Sequence, residues 1–229
     1  FEDGTINDIT DEIPFEIPES WKWTRLKSIS NIITGYSFKG NELKENKKVR
    51  VIRISDFDEY GLKSNKIVKI DENKKYENYI INNHSILLAM TGGTVGKSYL
   101  LSNLKEKMYL NQRVACINCQ YSNISIIYLY YVIISPFIKD IININKNSTN
   151  DNISMELINN FLVPLPSLEE QKRITLKLQS LITYISEYDQ YYNKLENLNN
   201  NYKVELKKSI LQYAIQGKLV KQDLEDESA

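Results

Sequence analysis

The segment Thr91-Gly92-Gly93-Thr94-Val95-Gly96-Lys97-Ser98 holds the residues of this chain whose types and order most invite chemistry. It follows the apolar run Ile86 to Met90, so a strand, a glycine-rich turn and a Gly-Lys-Ser end stand in the order of a nucleotide-binding phosphate loop. The spacing speaks against that reading. Such a loop has four residues between its first glycine and the Gly-Lys pair, whereas Gly92 and Gly96 enclose three and Thr91 stands where the glycine should be. No apolar strand ending in a magnesium-binding Asp follows it. A P-loop nucleotide hydrolase is therefore the weakest reading of the chain. What the segment retains is a set of exposed backbone amides, two Thr hydroxyls and Lys97, all suited to a nucleic-acid backbone or to base edges.

Other catalytic constellations are missing from the sequence. Cys116 and Cys119 form a lone C-x-x-C with no further cysteine and a single histidine in the chain, too few ligands for a structural zinc site, so no metal is expected. In a strand their odd spacing sends the two thiols to opposite faces, and both read as ordinary reduced residues. His84 reads as a loop or strand-end residue, with nothing that places it beside a nucleophile. Glu169 and Glu170, after Ser167, read as the acids and cap of a helix N-terminus rather than as paired catalytic carboxylates. The chain is expected to be no enzyme.

The zero formal net charge conceals a segregation. Residues 1–21 carry seven acids and no base, residues 22–113 carry eighteen bases against nine acids, and the segment from Asp223 to Glu227 carries four acids. A concentration of Lys and Arg in one part of a chain favours a polyanionic partner, because each cation that neutralises a phosphate releases a condensed counterion. A Lys-rich solvated surface is the alternative that charge alone leaves open.

The elements that would position these groups are a globular domain and a rod. Ile174, Leu181, Tyr188, Leu195 and Tyr202 recur every seven residues, and Leu178, Ile185, Tyr192, Leu206 and Tyr213 form an interleaved set, the two broken only at Asn199 and by Ser209. Two series offset by three and four make a coiled-coil seam, and a polar seam residue fixes register and partner number at some cost in stability. Between Pro166 and Gly217 no Pro or Gly interrupts the stretch. The rod is expected to seek a partner, the alternative being that it folds back on its own domain. Upstream, Val49 to Ile54, Ile67 to Ile70, Ile86 to Met90 and Val114 to Ile117 have strand composition. Leu26 to Ile33 reads as a short helix, and Ile124 to Ile138 as one helix ended by Pro136. The expected class is α+β: an acidic lead-in over 1–20, a mixed α/β globular domain over 21–166, a long coiled-coil-forming helix over 167–217 and an acidic tail over 218–229. No run of eighteen apolar residues exists, and the chain opens on an acidic segment, so neither a membrane span nor a secretory signal is expected, and the location is expected to be cytoplasmic.

Several ordered motifs resemble one family. Ile17-Pro18-Glu19-Ser20-Trp21 with Trp23-Thr24-Arg25-Leu26 is similar to the opening of a target-recognition domain in the DNA-specificity subunits of type I restriction-modification systems. Ile86 to Ser98, followed by Leu110-Asn111-Gln112-Arg113-Val114, resembles their central T-G-x-x-G and N-Q-R motifs. Asn152-Ile153-Ser154 with the segment from Val163 to Ile174 resembles the junction into their long helix, and Ser209 to Val220 resembles its end. The resemblance covers nearly the whole chain. It implies a non-catalytic subunit that reads one half of a split sequence in double-stranded DNA. It also implies docking to modification subunits that carry adenosylmethionine and, through the complex, to a motor-nuclease subunit that uses ATP and magnesium, leaving no cofactor on this chain.

Family members carry two recognition domains and two long helices paired antiparallel as a spacer. One of each is legible here, which implies a half-length subunit that homodimerises or a fragment of a longer one; the start at Phe1 rather than Met favours a fragment or a processed chain. The expected DNA contacts are Tyr36, Ser37, Phe38, Lys39, Thr91, Gly92, Gly93, Thr94, Lys97, Ser98, Asn111, Gln112 and Arg113. Asn or Gln can pair bidentately with adenine, and Arg or Lys with guanine, so Lys97, Asn111, Gln112 and Arg113 lead as base readers. Motifs shared by subunits of different specificity also fit scaffold or phosphate contacts, in which case readers lie in segments such as Lys44 to Lys75. A coiled-coil adaptor that ignores DNA is the alternative function.

Overall fold

The structure, a computed structural model, describes residues 9, 12–146, 151–221, 223, 225 and 227, so parts of the acidic lead-in and tail lie outside the described residues. The chain divides into two compact units, Phe1–Thr175 and Leu176–Ala229.

In the first unit the strands are β1 (Lys22–Arg25), β2 (Ser30–Thr34), β3 (Val49–Ile52), β4 (Phe57–Asp58), β5 (Gly61–Leu62), β6 (Lys69–Ile70), β7 (Ser85–Ala89), β8 (Ser98–Leu101), β9 (Met108–Leu110) and β10 (Val114–Cys119). Helices α1 (Ile126–Ile133), α2 (Pro136–Asn145) and α3 (Met155–Asn159) follow, then β11 (Leu162–Leu165) and the start of α4 (Leu168–Ile215). The central sheet has the order β2-β10-β7-β8 and is antiparallel throughout. A second sheet, β6-β3-β9, pairs β3 with β9 in parallel, and β1 pairs with β11.

The central strands β7 and β10 are apolar over Ile86–Ala89 and Val114–Ile117 because both faces of their sheet are covered there. Ile86, Leu88, Ala115 and Ile117 face a core shared with Leu129 and Ile133 of α1 and Ile138 and Ile142 of α2. Leu87, Ala89, Val114 and Cys116 face the opposite core, with Ile52, Met108 and Leu110 of the second sheet. Alternation of side chains across a strand thus explains the run Ile86 to Met90. It also separates the two cysteines, since Cys116 lies in one core and Cys119 beside the other. Both thiols are free.

Two expected helices are corrected. Leu26 to Ile33 is a single 3-10 turn at Leu26–Ser28 followed by β2, because the Asn31–Thr34 backbone finds a ladder on β10. Pro136 does not end a helix but begins one. Ser135 breaks the chain direction, its hydroxyl accepts from the Ile138 N–H, and proline tolerates the first helical turn, where its missing N–H has no intrahelical partner. No single helix among the described residues is long and apolar enough to cross a membrane; α1 and α2 together would be, but they bend by 52° at their break.

Helix α4 runs for 48 residues, about 72 Å at 1.5 Å per residue. Ser167 caps it, its Oγ accepting from the Glu170 N–H at 3.3 Å. It ends where Gly217 takes φ +66, with Gly217 N–H donating to Ala214 and Lys218 N–H to Tyr213, a Schellman closure that only a residue free to adopt positive φ forms without strain. The first two turns belong to the globular unit. Ile174 packs against its core, so this member of the expected seam is used there, and Gln171 is 1% exposed.

In the second unit Leu181, Ile185, Tyr188, Tyr192, Leu195, Tyr202 and Leu206 are all exposed along the helix. Asn199 is exposed as well, while Leu178 is half-buried. Tyr184, Tyr191 and Leu198, again seven apart, widen the apolar face beyond the two expected series.

Candidate functional site

The three segments that sequence reasoning nominated meet at one end of the central sheet. Because β10 lies between β2 and β7 and runs opposite to both, the end of β2, the start of β10 and the end of β7 share that edge. The loops they carry are tied by backbone bonds. Tyr36 N–H donates to Leu110 O at 2.9 Å, Gln112 N–H to Tyr36 O at 3.0 Å, and Met90 N–H to Arg113 O at 3.0 Å. A fourth segment joins them. Gly92 N–H donates to Asp151 O, Ile153 N–H donates to Met90 O, and Thr91 bridges Asn152.

Glycine is needed where two of these segments touch. A Cβ on Gly35 would stand 2.0 Å from Leu110 O and 2.3 Å from the Asn111 carbonyl carbon, so only glycine lets the end of β2 lie against the Asn111 turn. The turn closes with Val114 N–H on Asn111 O. Asn111 is half-buried, and Gln112 and Arg113 are exposed. Two adjacent exposed side chains on a rigid turn, one an amide and one a guanidinium, match the donor and acceptor edges of adenine and guanine.

Among the nominated residues the structure separates presenters from supports. Ser37, Lys39, Gly93 and Lys97 are exposed, and Tyr36, Thr91, Gly92 and Thr94 are half-buried. Phe38 is corrected: it is 8% exposed and forms part of a core with Tyr76 and Tyr109, ring centroids 4.9 and 6.2 Å away. Tyr36 lies on the rim of that aromatic block, 5.1 Å from Tyr76 and 5.3 Å from Tyr79. The Phe38 N–H closes a tight turn on Tyr36 O at 3.1 Å, and the two rings meet edge to face at 5.2 Å, so Phe38 fixes Tyr36 from beneath. Ser98 is corrected likewise, being 3% exposed with its hydroxyl donating to Gly96 O.

The backbone amides of the Thr91–Ser98 loop are a further correction. Those of Gly92, Val95, Gly96 and Lys97 donate to Asp151, Gly92, Ala89 and Thr94 carbonyls, and so cannot cradle a phosphate as a nucleotide-binding loop does.

The charge of the first unit is partly spent. Lys47 pairs with Asp71, Arg53 with Asp56, Lys63 with Asp58 and Lys107 with Glu72. The Tyr60 N–H, ahead of Lys63, holds Asp58 below the usual carboxylate range, and Lys107 does the same for Glu72. Lys75 stands 4.7 Å over the Tyr76 ring and is held above its ordinary value chiefly by its bond to that tyrosine. By contrast Lys39, Lys97 and Arg113 make no ion pair with any described residue. The free positive charge at this edge is therefore available to an external anion. No cluster of three metal-ligating side chains occurs among the described residues.

A family model described as the type I restriction modification DNA specificity domain matches residues 18–200. The EcoAI specificity subunit of Escherichia coli is 29% identical over 177 residues, covering 75% of this chain and 30% of that protein. The EcoBI specificity subunit of the same organism is 27% identical over 216 residues, covering 90% and 43%. The MjaVIII specificity subunit of Methanocaldococcus jannaschii is 28% identical over 172 residues, covering 72% and 40%. This chain thus spans less than half the length of each. Among solved structures, the HsdS subunit from Thermoanaerobacter tengcongensis shares the fold with a TM-score of 0.66 at 19% identity, over 90% of this chain and 47% of that one. A chain of the type I R-M system does so at 0.62 and 20%, over 90% and 48%.

Proposed function

Because the chain belongs to the family of type I restriction-modification DNA specificity domains, we propose that it is a DNA-specificity subunit that reads one half of a split duplex target. The observation that carries the reading is the convergence of Tyr36, Thr91–Ser98 and Asn111–Arg113 at one sheet edge, with Lys39, Lys97 and Arg113 unpaired among the described residues. Lys39 and Lys97 meet phosphates, which set position. Gln112 and Arg113 meet base edges, which carry sequence.

The subunit is non-catalytic. Adenosylmethionine, ATP and magnesium belong to the modification and motor subunits with which it assembles. The exposed stripe of α4 pairs with the same helix of a second copy, because seven seam residues facing water would expose more apolar surface than a lone helix tolerates. Paired in this way, the two helices set the spacing between two DNA-reading heads.

The test is duplex binding over a salt series, alone and with the modification subunit. Steep salt dependence, with sequence preference gained in the complex, is expected. Binding of the complex that ignores both sequence and salt would overturn the reading and favour a coiled-coil adaptor. For the pairing, Leu181→Asp with Ile185→Asp is expected to convert a dimer to a monomer in sedimentation, and an unchanged mass would refute it.

A further inference from the structure

We propose that the cavity between the Thr91–Ser98 loop and α2 seats a DNA backbone phosphate between Lys97 and Lys139, with Asn143 as a neutral donor. The proposal rests on the reading of the chain as a DNA-binding subunit and adds a helix to an interface otherwise made of loops. The cavity is about 420 Å³, and its wall includes Glu59, Lys97, Lys139, Ile142 and Asn143.

The loop lies directly on the helix. A Cβ on Gly96, which has φ +82, would meet the Ile142 side chain at 3.5 Å. Residues three and four apart share a helix face, so fixing Ile142 beneath the loop brings Lys139 and Asn143 to the same side. Lys139 and Lys146 are the only bases between residues 114 and 166, and of the two Lys139 lies within α2 and lines the cavity, while Lys146 is the extended residue that ends the helix.

The chemistry of the wall selects a phosphate. The amides of Gly92, Val95, Gly96 and Lys97 are spent on carbonyls, so charge neutralisation falls to the lysine side chains, and neither Lys97 nor Lys139 has an acid within ion-pairing distance among the described residues. Glu59, on the facing hairpin between β4 and β5, also makes no ion pair, and two lysines against one carboxylate leave the wall positive. Val95, Ile134 and Ile142 supply the apolar part of the lining. Lysine ammonium groups carry no base information, so the contact positions the duplex and does not read it.

The experiment compares the full chain with Lys97→Gln, Lys139→Gln and the double variant on a random-sequence duplex of roughly 30 base pairs, a length that spans about three helical turns. Each lost phosphate contact should lower the slope of log affinity against log salt by about 0.9, so the double variant should lose about 1.8. Between about 50 and about 200 mM salt its affinity should then fall roughly twelvefold less than that of the parent. Lys139→Arg should restore the parental slope. Because Lys139 is exposed, an unchanged circular-dichroism melt is expected for Lys139→Gln.

If the parent binds DNA and Lys139→Gln keeps its slope, this inference fails while the reading of the chain stands. Should the parent bind no duplex, both fail. Titration of inorganic phosphate and ATP forms the remaining arm: Lys139-dependent binding of either, with an unchanged DNA slope, would assign the cavity to a free phosphate and overturn the DNA contact.

Discussion

Replacing Gln171 by alanine should destabilise the globular unit by about 3 kcal/mol. Gln171 is 1% exposed, and its amide makes three bonds. Its Oε1 accepts from the Ser125 N–H at 2.8 Å, and its Nε2 donates to Pro166 O at 3.0 Å and Asn123 O at 3.3 Å. One side chain therefore ties the first turn of α4 to Pro166, two residues ahead of it, and to Asn123 and the Ser125 cap of α1. A net hydrogen bond contributes about 1 kcal/mol, and partners left buried without replacement cost more, so about 3 kcal/mol is a lower figure for the three together. For a chain of this size that corresponds to a melting temperature lowered by about 6–12 °C.

The assay is urea unfolding followed by the fluorescence of Trp21 and Trp23, which lie in and beside β1. Gln179→Ala, at an exposed position of the same helix, should stay within about 0.5 kcal/mol of the parent. Gln171→Glu sharpens the test, because it keeps the acceptor for Ser125 but turns a carboxyl toward two carbonyl oxygens, which disfavour its charged form. Its folded-state pKa is raised, so its stability should be greatest below the unfolded value of about 4.3 and fall as pH rises through the folded value. A loss under about 1 kcal/mol for Gln171→Ala would refute the anchoring role.

Gly35→Ala should cost more than about 2 kcal/mol, since its Cβ would stand 2.0 Å from a backbone oxygen that cannot swing aside. Gly93→Ala, with open space at that position, should leave the urea midpoint in place; equal midpoints for both variants would refute the close-approach argument. Burial pushes the Cys119 thiol up to about 11 and raises that of Cys116. A raised folded value means that the native state holds its protons longer, so stability is full below the free-thiol value of about 8.5 and declines as pH rises toward about 11. Iodoacetamide should accordingly label native thiols far more slowly than unfolded ones at pH about 8, and equal rates would contradict the burial.

Much of this protein was legible in its sequence because the signals were local and repeated. The seven-residue series from Leu181 to Leu206 defines a long helix with one apolar face, and Ser167 and Gly217 mark its ends by capping chemistry that needs no tertiary contact. The run Ile86 to Met90 reads as a strand, and β7 over Ser85–Ala89 is one. The short spacing from Gly92 to Gly96 argued against a nucleotide-binding loop before the spent amides could be seen.

What remained hidden depended mostly on partners far away in sequence, and in one case on a neighbour whose role is ambiguous in one dimension. Pro136 reads equally as the end or the start of a helix, and Ser135 as its cap decides which. Phe38 beside Tyr36 looks like a second exposed aromatic until the ring of Tyr109, seventy-one residues on, is found packed against it. Lys139 is an unremarkable lysine in an apolar helix until Gly96 brings the loop onto Ile142. Periodicity and capping are properties of neighbouring residues and survive in one dimension. The availability of a side chain to a ligand depends on what else reaches it, and that is fixed only when β2, β7 and β10 bring their loops to one edge.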